Sequence, residues 1–140
     1  MDATQMHEAE AELLRARLHV RGGNRRLRQG RDAAGIASLY DALIHALRWY
    51  TLENQTALEI ANETELRDAR DIFARLVRAG VFNDIAKFDA LTSLVEKAID
   101  DPTFRFDATS AWAKIENWLT RLGVMPFDET ALPPDDPASP

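Results

Sequence analysis

Asp41, His45 and Arg48 are spaced by four and three residues within GRDAAGIASLYDALIHALRWY, residues 30–50. At about 100° per residue, that spacing sets a carboxylate, an imidazole and a guanidinium on one side of a helix. An aspartate and a histidine so placed can hydrogen-bond or share a metal, and one helix can project all three groups into a cleft. A metal would need further donors. No second histidine is placed to join them, and neither HExxH nor ExxH occurs, so no metal site is expected. A Gly-rich phosphate loop and a nucleophile with an evident base are also missing, so neither a cofactor nor a catalytic residue is assigned. We therefore expect Asp41, His45 and Arg48 to form a polar strip that fixes helix register or subunit orientation. Tyr40 beside them should be buried with its hydroxyl satisfied, and Ala42 and Ala46 should be small because another helix passes close.

Three other groups carry chemistry-bearing side chains. Arg17, Arg21, Arg25 and Arg28 recur at four, four and three residues, forming one stripe on a helix. Such a stripe is a nucleic-acid or anion surface, or a face that pairs within the bundle. Glu59, Glu63, Glu65, Asp68 and Asp71 form an acidic series, but Arg67 and Arg70 are interleaved and the spacing scatters the acids around the helix, as on a solvated face. Trp112 has core spacing, whereas Trp49 and Trp118 fall off their helices' main stripes. These two either widen the core or face another subunit.

The elements that must position these residues are helical throughout, because apolar residues step by three and four and no period-2 run appears. Met6, Ala9, Leu13, Ala16, Val20, Gly23 and Leu27 predict a first helix from about Thr4 to Gln29, with a competing break at Gly22-Gly23. Gly30 stops it and Asp32 caps a second helix over about Ala33 to Leu52. A capping-box spacing at Thr56 to Glu59 predicts a third helix from near Ala57 to before Gly80, with Leu66, Ile72, Phe73 and Leu76 inward. Asn83 caps a fourth carrying Ile85, Phe88, Leu91, Leu94, Val95 and Ala98, which stops near Asp101-Pro102. Asp107 or Thr109 caps a fifth with Trp112, Ile115, Leu119 and Leu122, which Gly123 ends. The expected fold is an all-α, single-domain bundle of about five helices over residues 1–127, with a long antiparallel N-terminal hairpin. Residues 128–140, proline-rich and acidic, are expected to be a frayed tail.

The chain's 140 residues suit one domain, and its 46% hydrophobic composition is enough for a core. It has no cysteine, so disulfides and thiolate chemistry are excluded. No cationic and apolar leader is present, and no apolar run approaches the roughly 18 residues of a membrane span, which points to a cytoplasmic protein with no membrane partner. The net charge of −6 argues against general nucleic-acid binding, yet Arg15 to Arg31 holds seven arginines and no acid. One local basic surface on an acidic protein follows.

The helix end at Gly30, the turn Arg31-Asp32, the small residues Ala34 and Gly35, and then Tyr40, Ala42, His45 and Ala46 resemble the second-helix signature of the HEPN superfamily. Those are small helical bundles of prokaryotic nucleotidyltransferase-associated and toxin-antitoxin proteins. The resemblance spans roughly Leu18 to Tyr50, with Asp41 standing where the family usually has a second tyrosine. Active members share a later arginine followed four to six residues on by a histidine, which cleaves RNA. Here the histidines are His7, His19 and His45, so the resemblance implies a non-catalytic member.

Two functional expectations result. The first is a non-enzymatic helical interaction module, homodimeric, that uses the hairpin and one or both of Trp49 and Trp118. The alternative is a HEPN-like protein associated with RNA or a nucleotidyltransferase, using the arginine stripe of the first helix.

Overall fold

The computed structural model describes residues 2–58 and 68–134, and among them the only regular elements are helical. Five α-helices occur in the order α1 (Ala3–Arg28), α2 (Asp32–Glu53), α3 (Ala69–Arg78), α4 (Ile85–Asp100) and α5 (Ala108–Leu122), followed by a 3-10 turn at Glu129–Ala131. The third helix does not start near Ala57 as expected: residues 54–58 form a turn, and the next described helix begins at Ala69, while the expected inward Leu66 and Glu59, Glu63 and Glu65 of the acidic series fall in 59–67, outside the described residues. Asp68 caps α3 by accepting from the Arg70 amide, and Asp71 is exposed in its first turn.

α1 starts with a capping box, in which Asp2 accepts from the Gln5 amide and the Gln5 side chain accepts from the Asp2 amide. It runs unbroken through Gly22-Gly23. It stops where Gly30 takes φ 74°, with the Arg31 amide bonded to the Arg26 carbonyl and the Gly30 amide to Leu27, the paired bonds that satisfy a helix C-terminus. Asp32 is the first residue of α2 rather than its cap: Arg31 takes the capping position and makes no side-chain cap bond, because the closing turn is already satisfied by backbone. Asp84, not Asn83, caps α4, and Asp107 caps α5.

α1 and α2 form the predicted antiparallel hairpin, and their close approach has a specific cause. Gly23 and Gly35 face each other at the crossing: a Cβ on either would lie 3.1 Å from the other's carbonyl oxygen. Ala9, Ala16, Ala42 and Ala46 are buried along the same contact. Gly23, which weakens helix propensity, is thus retained by packing, and the first helix runs unbroken as expected rather than taking the competing break at Gly22-Gly23.

α2 is the central helix. It packs on α1 along one side and on α3, α4 and α5 along the other. Ile36, Leu39, Leu43 and Leu47 are fully buried between them. Beyond α2 lies an aromatic cluster: Phe73 stacks on Phe82 at 4.4 Å and meets Phe88 at 4.8 Å and Trp118 at 5.0 Å. Met6, expected inward on α1, is instead 52% exposed.

Candidate functional site

The hairpin's two helices meet along a polar seam. On α1 it carries Glu12, Arg15, His19, Gly22 and Arg26, and on α2 Ser38, Asp41, His45 and Arg48, each at steps of three and four. The antiparallel pairing places Glu12 opposite His45 and His19 opposite Ser38, both pairs centred on the end of α1 just before the Gly30 turn. The His45 Nδ1 lies 2.6 Å from Glu12 Oε2. A carboxylate only accepts, so the network assigns the proton to Nδ1. The Ser38 hydroxyl donates to the His19 carbonyl at 2.9 Å and lies 3.4 Å from His19 Nδ1. The two imidazoles stack, with centroids 5.3 Å apart and planes 10° from parallel.

The electrostatics follow from this geometry. Burial raises the cost of ionising Glu12, but the hydrogen bond and charge of His45, with Arg48 and Arg15 nearby, outweigh it and hold its carboxyl below the ordinary range. His19 is held below the ordinary histidine value, first by burial and then by His45 and Arg26, against the opposing pull of Asp41. Asp41 therefore acts on His19 through space and is itself exposed. The expected Asp41–His45 pairing within α2 is replaced by Glu12–His45 across the hairpin. Tyr40, on the other flank of α2, bonds Thr92 of α4 at 2.9 Å, so its hydroxyl is satisfied as expected.

Clefts lie at both ends of the seam. One of about 540 Å³ is lined by His7, Glu12, Arg15, Arg48, Leu52 and Ile72 among others. The other, about 340 Å³, is lined by Arg15, His19, Arg21, Arg25 and Arg26, with Pro133 and Pro134 on its far wall. Arg15 borders both, and its guanidinium bonds Glu12 at 3.2 Å. Among the described residues no three acids or histidines are grouped to hold a metal ion, and no helix is long and apolar enough to cross a membrane.

The stripe Arg17, Arg21, Arg25 and Arg28 meets different fates along its length. Arg17 donates through Nε to the Val124 carbonyl at 3.2 Å and covers the Phe127 ring, and Arg21 donates to the Pro133 carbonyl at 2.7 Å. Arg25 lines the smaller cleft and Arg28 is exposed at the end of α1. The first half of the stripe is therefore a track on which the segment after α5 is laid. That corrects the boundary placed at Phe127: as far as Pro134 the chain is strapped to α1, because guanidinium donors satisfy its carbonyls.

The tryptophans also need correcting. Trp118 is 7% exposed, wedged among Phe73, Phe82 and Phe88, and so widens the core. The buried residues of α5 are Ala111, Ile115, Trp118, Leu119 and Leu122, so the stripe read from the sequence holds at Ile115, Leu119 and Leu122 and fails at Trp112, which is half-buried while Ala111 and Trp118 take the inward places. Trp49 is half-buried against the core, its ring 3.8 Å from where a Cβ on Gly123 would stand.

Glu12, His19, Ser38 and Arg26 were not singled out in the sequence. Part of the signal was available: laying α1 antiparallel to α2 in the register that sets Glu12 opposite His45 also sets His19 opposite Ser38. Comparison with known proteins finds no matching family, no matching curated protein and no matching solved structure.

Proposed function

We propose that this chain is a non-enzymatic helical interaction module that works as a homodimer through the outer side of its hairpin. The observation that carries the reading is how α1 is used. Its inner seam groups are engaged with α2, His45 with Glu12 and His19 with Ser38, and they fix the register of the hairpin. Its outer side leaves Met6 52% and Leu14 39% exposed. Large apolar side chains left exposed on a helix suit contact with a second copy. Sedimentation velocity is the test: dimers that dissociate in the M6E/L14E variant are expected, and a strict monomer at high concentration refutes the reading.

A second reading, a HEPN-like protein associated with RNA or a nucleotidyltransferase, is favoured by the gathering of Arg15, Arg25 and Arg26 at one cleft. Filter binding to single-stranded RNA at two salt concentrations separates the two, since phosphate contacts give a steep salt slope and an apolar interface does not.

A further inference from the structure

The larger cleft of the seam combines an apolar floor with an imbalance between donors and acceptors. It holds about 540 Å³, within the range of small-ligand sites. Thr4, His7, Ala11 and Arg15 line it from α1 at steps of three, four and four, which is one face of that helix. Arg48 and Leu52 line it from α2, and Ile72 from α3. Leu52 and Ile72 are buried, so the floor is apolar. The carboxylates of the cleft are already engaged. Glu12 accepts from Arg15 at one oxygen and lies against His45 Nδ1 with the other, and Glu8 has a partner of its own. The guanidinium donors are not all engaged. Arg48 makes no side-chain hydrogen bond among the described residues and acts on Glu12 through charge, while Arg15 keeps donors beyond the one given to Glu12.

We propose that this cleft binds a small monocarboxylate with an apolar body, its head held by Arg48 and Arg15 and its body lying on Ala11, Leu52 and Ile72. A head that accepts without donating matches the donors left over on the walls, and a planar carboxylate takes two parallel N–H bonds from one guanidinium. Glu8 and Glu12 stand on the same wall as Arg15 and repel a more highly charged head, which favours one negative charge over two. The floor adds what an exposed ion pair lacks, because a chain of several methylenes gains affinity by leaving water. Neither Met6 and Leu14 nor Arg17, Arg21, Arg25 and Arg28 are among the lining residues, so binding here is independent of both self-association and RNA.

Calorimetric titration of the full chain with octanoate tests this. Saturable binding is expected, about tenfold tighter than that of octanol, which has the same body and no charge. Octylammonium, with the opposite charge, should not bind, and octyl phosphate should bind more weakly than octanoate. R48A should bind octanoate about tenfold more weakly, the scale of one charge-assisted hydrogen bond. R48K keeps the charge but not the planar fork, so its affinity should fall between R48A and wild type. A11F keeps every charge and fills the cleft, so it should abolish binding; A11L fills it less and should weaken binding, with circular dichroism verifying that each variant is folded. The proposal is overturned if octanoate does not bind the wild type, if octylammonium binds as well as octanoate, or if folded R48A, A11F or A11L binds octanoate as the wild type does. Tighter binding of octyl phosphate than of octanoate overturns the choice of a carboxylate head.

Discussion

Gly22 and Gly23 are adjacent in sequence and equally costly to a helix, yet alanine should act on them in opposite directions. Each Gly→Ala change gains about 1 kcal/mol of helix propensity. At Gly22 the new Cβ meets only the far end of the Arg26 side chain, which can swing away, so the gain is largely kept. At Gly23 the Cβ would stand 2.5 Å from Leu39 Cγ, 2.8 Å from Leu39 Cδ2 and 3.1 Å from the Gly35 carbonyl oxygen. Leu39 is fully buried and the carbonyl is backbone, so neither can yield without prising the hairpin apart. Overpacking of this kind costs about 3 kcal/mol at the upper end of the usual range. The net expectation is G22A stabilised by about 1 kcal/mol and G23A destabilised by about 2. For a chain of this length that separates their Tm values by roughly 10 °C. Urea unfolding, read as the midpoint at unchanged m, measures the difference. If G23A proves as stable as G22A, the close crossing of α1 and α2 at Gly23 and Gly35 is wrong.

His45→Ala should cost about 1 kcal/mol or somewhat more, since it removes one hydrogen bond and leaves Glu12 without its partner; unchanged stability and assembly with loss of an activity would point to catalysis instead. Because burial holds folded His19 below its ordinary value near 6.5, the unfolded chain binds the extra proton first as pH falls, so stability should drop from about pH 6.5 downward. H19N should flatten that part of the stability–pH curve, and an unchanged slope would remove His19 as its source. The depressed Glu12 works in a lower window: its contribution is present above the ordinary carboxylate value near 4.5 and is lost as pH falls through the folded value, a loss that E12Q should not show. Trp118→Ala should destabilise by about 4 kcal/mol, the scale of a large aromatic removed from a core, with no change in sedimentation of the remaining folded protein. A fully stable W118A with altered oligomeric state would restore Trp118 to a subunit contact.

What the sequence determined on its own was local and periodic. The step of three and four apolar residues fixed α1, α2, α4 and α5 to within one or two residues, because a helix's buried face must repeat with its pitch. Gly30 marked the hairpin turn, since its positive φ is open to glycine without strain. The strip of Asp41, His45 and Arg48 was legible for the same reason, as three positions on one side of a single helix. What that strip does was decided between helices. Only the antiparallel pairing of α1 with α2 gives His45 to Glu12 rather than to Asp41 and stacks it on His19, from residues 33 and 26 positions away in the chain. The same holds for the glycines, which look like a helix break until Gly35 arrives opposite Gly23. It holds for Trp118 and the arginine track as well. A period of 3.6 leaves the phase of a half-apolar stripe ambiguous by one residue, and a guanidinium's partner can be a carbonyl more than a hundred residues along the chain. Periodicity follows from the backbone of one helix, whereas the partner of a side chain is set by which surfaces the whole chain can bury together.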